Sequence, residues 1–464
     1  MAPRSLLSGV EGKSLWYSFR GLEWGLRLRR QGLCCRLKLK SVESPVFAWH
    51  GLGDLGFWRH FLLRGVPEGG SVPTALLGLV AARVTGMTHP AIADPILAGV
   101  FEHNRKDRLM TPPIPVIVLN WNGVDDTCRC LQHLLASEGV AVRAIVIDNG
   151  SDQPSEFETL KARFGDDPRV ELRANRLNLG FARGMNQALQ ALMDERERAS
   201  NGAPSSRLDY VALLNNDAFV EPQWLAALVH RAKISGAGAV ASCMLRDDEP
   251  SVLDNAGHVF LNTGEVLPRG SRAPADAYSK SAEVRGVCAG ACLLKLDMLK
   301  AIGLFDPFYG TGYEDAELGL RAMLAGWRQV YEPKAKVRHK IGASIDQIRD
   351  LDYAVGLQTN IHYAYFKLMP KTVMLANGPW LVLKTLALLF VPPMMGRWRL
   401  AKVHWLAAWR SLKLVPAFVK ARKSRPQQVM SSRQILSHQT FFFGRYWHYF
   451  NRYVRRGERT IFER

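Results

Sequence analysis

The sequence predicts an α/β fold built on a mainly parallel sheet with helices on both faces, and three observations predict it. Continuous apolar runs, Val116-Ile117-Val118-Leu119, Ile145-Val146-Ile147 and Tyr210-Val211-Ala212-Leu213-Leu214, lack the polar alternation of a half-exposed strand, as strands covered on both faces do. Each ends in a polar tip: Asn120-Trp121-Asn122, Asp148-Asn149-Gly150-Ser151-Asp152 and Asn215-Asn216-Asp217, with a fourth, shorter run from Ala335 to Arg338 leading into His339. Segments of helical spacing alternate with these runs. In open sheets of this kind ligands sit at the carboxyl ends of the strands, so the tips are expected to share one cleft.

Composition places few further limits on the fold. The chain has 464 residues, 47% hydrophobic and 22% charged, which excludes a low-complexity or disordered protein as a whole and allows more than one folding unit. Charge is distributed unevenly: residues 360–464 carry 19 Lys and Arg against two acids, Glu458 and Glu463, a net +17 of the chain's +19. The seven cysteines show no zinc-type spacing; Cys34-Cys35 are adjacent and Cys128 and Cys130 are one residue apart, a set that reads as reduced thiols. Met1 to Leu15 has neither a continuous apolar stretch nor a small-residue cleavage site, so no secretory signal is expected and the protein is placed on the cytoplasmic side.

Along the chain, residues 1–110 form an N-terminal accessory region. Leu15, Phe19, Leu22 and Leu26 predict an amphipathic helix within Ser14 to Arg30, suited to packing on its own domain or to a membrane surface. Asn104 to Pro115, charged and then Pro-rich, marks a linker. A second region over 111–356 follows: a strand at 116–120, a helix around Thr127 to Ser137, a strand at 143–147, a helix fading at Asp194, a loop from Glu195 to Arg207 and a strand from 210. Leu320, Leu324 and Trp327 give a helix its buried stripe, with Glu314 and Asp315 at its start. Over 357–464 a basic, aromatic-rich helical region is expected. Asn377-Gly378-Pro379 and Pro392-Pro393 cut the apolar stretch from Thr372 to Met395 to a core from Trp380 to Val391, short of the ~20 residues a span needs. Trp398, Trp405 and Trp409 among many Lys and Arg suit an interfacial or re-entrant helix on an anionic leaflet; a single span, or a solvated basic face, are the other readings.

Each tip has a chemical and a plain reading. Asp148 can accept from a uracil or thymine imide or from ribose hydroxyls, or can simply close a turn. Asn178-Leu179-Gly180-Phe181-Ala182-Arg183-Gly184 puts glycines and an arginine before a helix, where backbone N–H groups favour phosphate. Asp217 beside a diphosphate would hold Mg²⁺ or Mn²⁺, or form an Asx turn, and His339 could add a second ligand or serve as a hydrogen-bonded structural residue. Glu314 and Asp315 complement a helix dipole or supply a general base.

The ordered set of V-I-V-L-N-W-N-G, I-V-I-D-N-G-S-D, N-L-G-F-A-R-G-M-N, L-L-N-N-D, G-A-C-L-L, G-L-F-D-P-F-Y, Y-E-D-A-E-L-G-L-R, G-W and H-K-I-G-A-S resembles the family 2 glycosyltransferases of GT-A fold, and among them the rhamnosyltransferase-like group, over about Ile114 to Ser344. The resemblance implies a Rossmann-like, mainly parallel sheet flanked by helices. It assigns donor binding to Asn120, Asn122, Asp148, Asn149, Asn178, Gly180, Phe181, Arg183, Asn215 and Asn216. It implies metal binding at Asp217 and His339, and catalysis by Asp315 with Glu314 in support. Asn215 stands where the family's metal motif has its first Asp, and Arg183 and Met185 replace the more usual Gly and Asn.

The same resemblance implies an inverting, metal-dependent transfer from a dTDP- or UDP-linked sugar, rhamnose by group resemblance, to a glycan or polyprenyl-linked acceptor in cell-surface polysaccharide synthesis. The basic tail suits the cytoplasmic face of an anionic membrane, and nucleic acid is not an expected partner. Two rivals remain at this level. A sugar-nucleotide-forming nucleotidyltransferase would share the sheet and metal but needs a Gly-rich, Arg-containing loop with an activating Lys after the first strand, which the sequence lacks. A non-catalytic basic membrane adaptor would explain the tail and leave the ordered tips without a purpose.

Overall fold

The computed structural model describes residues 112–199, 208–340 and 350–444 except 424 and 426, together with two short strands, Arg36–Leu37 and Phe47–Ala48, paired antiparallel. Two units are distinguished, Met1–Met110 and Thr111–Arg464. The helix expected within Ser14 to Arg30, the Cys34-Cys35 pair, most of the Asn104 to Pro115 linker and Ile341 to Ser344 lie outside the described residues.

The second unit is organised around a ten-stranded mixed sheet. Its left half is parallel: β1 (Ile114–Asn120) lies between β2 (Val142–Asp148) and β4 (Tyr210–Asn215), with β3 (Val170–Ala174) beyond β2. The strands alternate their side chains between two cores. Val116 and Val118 of β1, Ala144 and Val146 of β2, and Ala212 and Leu214 of β4 meet α1 (Val124–Leu135), α2 (Ser155–Phe164) and α4 (Trp224–Ser235). Ile117, Ile145, Ile147, Val211 and Leu213 meet α3 (Phe181–Ala199) on the other face. Two covered faces are why these runs contain no polar residue.

The sheet continues through β5 (Ala218–Val220), β6 (Ala239–Arg246), β7 (Leu253–Asn255), β10 (Ala282–Glu283), β11 (Ala291–Lys295) and β12 (Gln329–His339). β11 runs antiparallel between β4 and β6; β6 is parallel to β12, so the ends of both reach the same edge as the tips. Between them β8 (His258–Leu261) and β9 (Val266–Pro268) form a hairpin joined by β13 (Gln439–Thr440), while α5 (Leu296–Ile302) and α6 (Glu314–Leu324) precede β12.

Four helices follow, α7 (Leu351–Leu368), α8 (Lys371–Met394), α9 (Trp398–Lys413) and α10 (Val415–Lys423), then the short α11 (Ser432–Ser437). A third core joins them to the rest: Ile361, Tyr363 and Leu368 of α7 and Phe418 of α10 pack with Phe260, Tyr309, Tyr313 and Leu320.

Two boundaries differ from expectation. Helix α3 continues past Asp194 to Ala199, because Arg196 is buried and paired with Asp297 at the start of α5. Helix α8 runs unbroken through Pro379 and into Pro392-Pro393. Each of these prolines lacks the N–H that would bond the carbonyl four residues earlier, a local penalty that the helix carries.

Candidate active site

Register brings the tips together before any side chain is considered. Asn120 pairs with Asp148 across β1 and β2, and Leu119 with Asn215 across β1 and β4. The Asn120 amide is fully buried and engaged: its Nδ2 donates to Asp148 Oδ1 at 2.7 Å and Glu156 Oε2 at 3.1 Å, and its Oδ1 accepts from Thr127 Oγ1 at 2.7 Å. Asp148 also accepts from the Ser151 hydroxyl and backbone, so it closes its turn and is fixed at the strand end. Asn122, with φ at 51°, clamps the same turn: its amide exchanges hydrogen bonds with the Asp152 carboxylate and backbone N–H.

Asn149 ties this turn to the glycine loop. Its Nδ2 donates to Asn178 Oδ1 at 2.9 Å, and its Oδ1 accepts from Asn175 Nδ2 at 2.9 Å. Gly180 has φ of +76°, and a Cβ there would stand 2.8 Å from the Gly310 carbonyl oxygen, so glycine is required by conformation and by space. The next residue, Phe181, donates its N–H to the same carbonyl and meets Phe305 edge-on. Arg183 is exposed on the first turn of α3.

On the other side, Asn215 donates its N–H to the Gly290 carbonyl, and Asn216 is buried with its Nδ2 on Thr127 Oγ1 at 3.1 Å. Asp217 is buried and its Oδ1 has no hydrogen-bond donor among the described residues; His339 Nε2 stands 3.3 Å from it, an ion-pair contact outside hydrogen-bond geometry. The other ring nitrogen, Nδ1, donates to Asp254 Oδ2 at 2.8 Å. Burial alone would lower the His339 pKa; the contacts with Asp217 and Asp254 outweigh it and raise it to about 10.

These residues fit a divalent cation. An orphaned carboxylate oxygen and an imidazole nitrogen 3.3 Å apart suit neighbouring positions on one ion with ligand distances of about 2.0–2.2 Å. Asp254 fixes the imidazole from behind, as a carboxylate does for a metal-bound histidine. Metal binding at Nε2 would displace the proton that the raised pKa keeps on the ring.

The remaining candidates stand at the start of α6. Tyr313, with φ at +80°, turns the chain into the helix, and its hydroxyl accepts from Val266 N–H at 2.7 Å. Glu314 is buried with Oε2 unpartnered among the described residues; burial, reinforced by the Asp315 charge, pushes its pKa up to about 8. Asp315 is partly exposed and accepts from Ala289 N–H at 3.2 Å. His258 Nε2 approaches Asp315 Oδ2 to 3.9 Å, and Cys288 lies close to both, their ligand atoms all within 4.8 Å. Burial holds the His258 pKa below its usual value against the opposing pull of Asp315. The backbone at Cys288-Ala289-Gly290 thus touches Asp315 at one residue and Asn215 at the next.

Asp254, His258 and Cys288 were invisible as site residues in the sequence. Asp254 lies in a three-residue strand 85 positions before its partner His339, with no surrounding pattern to single it out.

Residues 112–352 match the profile of the family described as glycosyltransferase like family 2. An N-acetylglucosaminyl-diphospho-decaprenol L-rhamnosyltransferase of Mycobacterium tuberculosis is 27% identical over 242 residues, 50% of this chain and 76% of its own. The O-antigen biosynthesis protein RfbC of Myxococcus xanthus is 30% identical over 254 residues, 52% of this chain and 18% of its own. Among solved structures, a mannosyltransferase of Pyrobaculum calidifontis in complex with GDP-Man and Mn²⁺ gives a TM-score of 0.40 at 15% identity, covering 70% of this chain and 93% of its own.

Proposed function

From the premise that the chain belongs to the glycosyltransferase-like family 2, we propose that it moves a sugar from a dTDP- or UDP-linked donor to a glycan or polyprenyl-linked acceptor with inversion at the anomeric carbon. The observation that carries this reading is one backbone link: the Ala289 N–H donates to Asp315 and the Gly290 carbonyl accepts from Asn215, two residues before Asp217, whose Oδ1 stands 3.3 Å from His339 Nε2.

In this reading Asp148 receives the base or ribose of the donor, while Asn120, Asn149 and Asn216, whose amides are taken up by protein partners, position the turns around it. Asn122, Asn178, Gly180, Phe181, Arg183 and Asn215 line the donor side. Mg²⁺ or Mn²⁺ held by Asp217 and His339 would neutralise charge on the departing diphosphate. Asp315 takes the proton from the acceptor hydroxyl as that oxygen bonds to the anomeric carbon, and the bond to the nucleoside diphosphate breaks on the opposite face. Glu314, whose pKa burial raises to about 8, has a carboxyl available to donate a hydrogen bond beside Asp315.

Rhamnose and a lipid-linked acceptor are taken from the rhamnosyltransferase named above, and the cytoplasmic membrane face from the basic C-terminal helices. Calorimetry with a panel of nucleoside-diphosphate sugars, followed by NMR of the product's anomeric centre, tests the proposal. One donor binding in the micromolar to millimolar range and a product of opposite anomeric configuration are expected; a retained configuration, or pyrophosphate made from a sugar phosphate and a nucleoside triphosphate, would overturn it.

A further inference from the structure

Helix α8 turns its polar Asn377 and Lys384 towards the protein beside Val373, Met374 and Leu381, and most of its other apolar side chains away from it. Its buried residues are Val373, Asn377, Lys384 and Pro392; the first three recur at four and seven positions along one narrow stripe, and two of the four are polar. Asn377 Nδ2 donates to Tyr365 Oη and Gln439 Oε1, both at 3.2 Å; Lys384 Nζ donates to the Thr263 carbonyl at 3.1 Å and pairs with Glu265. Leu375, Val382, Leu386, Phe390 and Met394 are exposed instead, and only 17% of the most apolar stretch is buried. A helix of a water-soluble domain has the opposite arrangement.

Helix α9 extends the same character. Trp405 Nε1 donates to the Leu389 carbonyl of α8, and Trp398 and Trp409 are 63% and 59% exposed, with Lys413 over the Trp409 ring. From Lys371 to Lys423 the chain carries ten Lys and Arg and no acid. Aromatic anchors, outward aliphatic side chains and unbroken positive charge together complement an anionic bilayer.

We propose that the exposed faces of α8 and α9 sit in the headgroup and upper acyl region of an anionic bilayer, with α8 lying along the surface and not across it. The inward stripe decides the orientation. Contacts from Val373 to Lys384 follow the catalytic unit for about 17 Å, and a crossing helix would carry Glu265 and Gln439 into hydrocarbon. The same contacts connect lipid to chemistry. Thr263 and Glu265 flank Gly264, whose carbonyl accepts from the Tyr313 hydroxyl, and Tyr313 immediately precedes Glu314 and Asp315. That this holds a lipid-linked acceptor near Asp315 rests on the transferase reading; the lipid surface itself does not.

The test uses the full chain with vesicles of phosphatidylglycerol and phosphatidylcholine, measuring co-sedimentation at 0.15 and 1 M salt. Wild type is expected to bind at both, and Val382→Glu/Leu386→Glu/Phe390→Glu to bind at least tenfold more weakly at both, with nucleotide binding and circular dichroism unchanged. Independently of that variant, brominated acyl chains should quench wild-type tryptophan fluorescence, less so in Trp398→Phe/Trp409→Phe. Equal binding by the triple variant, or wild-type binding abolished at 1 M salt without quenching, would overturn the proposal. Self-association lost in the triple variant, without vesicle binding, would assign the face to a second copy. Vesicle binding without turnover of any donor would leave this surface intact and count against the transferase reading alone.

Discussion

His339 is held from behind by Asp254, Nδ1 to Oδ2 at 2.8 Å, which turns its Nε2 towards Asp217. The pairing fixes the ring plane and takes up Nδ1, so Nε2 is the nitrogen offered by a residue proposed as a metal ligand. Asp254→Asn should therefore weaken Mn²⁺ binding by about 10- to 100-fold while leaving the fold intact. Titration calorimetry of Mn²⁺ in wild type and variant checks this, and equal affinities would remove Asp254 from the site.

Glu314 supplies a pH signature of its own. Its pKa is raised from 4.5 to about 8, so between those values the unfolded chain releases a proton that the folded chain keeps, and stability falls as pH rises through that window. Glu314→Gln removes this penalty. At pH 8 the variant should be more stable than wild type by on the order of 3 kcal/mol, with no such gain at pH 4.5. Urea unfolding at the two pH values measures it; a difference independent of pH would contradict the burial argument.

Lys367 is the buried charge that joins α7 to the site loops. Its Nζ lies 2.7 Å from both Asp306 and Glu317, and Tyr363 donates to the same Asp306 carboxylate. Lys367→Met would leave Asp306 without its cation, with Glu317 retaining Arg321. A loss of roughly 3 kcal/mol is expected. An unchanged urea midpoint would show the network to be dispensable.

Gly180 joins the loop proposed to bind the donor to the Gly310 loop at backbone distance. Gly180→Ala meets both a left-handed φ and a carbonyl 2.8 Å away, so the loop must move. A stability loss of about 1–3 kcal/mol and a raised KM for the donor with a smaller change in kcat are expected. A variant with wild-type KM would show that the loop does not touch the donor.

The sequence was most legible where periodicity and strand ends carry the information. Apolar runs open to two cores announced β1, β2 and β4, and the polar residues that follow them do lie at one edge of the sheet. Legibility ended where a residue acts through tertiary contact alone. Nothing around Asp254 marks it as the partner of His339, and His258 and Cys288 meet Asp315 only because a hairpin and the turn before β11 converge on α6. Prolines misled for a related reason: their local penalty in α8 is overcome by the anchoring of Asn377 and Lys384, which the local sequence does not display.

Acceptor-dependent release of nucleoside diphosphate by wild type and Asp315→Asn, with donor affinity measured on the same samples, tests most directly whether Asp315 is the base of a glycosyl transfer. Turnover lower by about 10²- to 10⁴-fold with donor Kd within about threefold is the expected result. Full turnover in Asp315→Asn would contradict it.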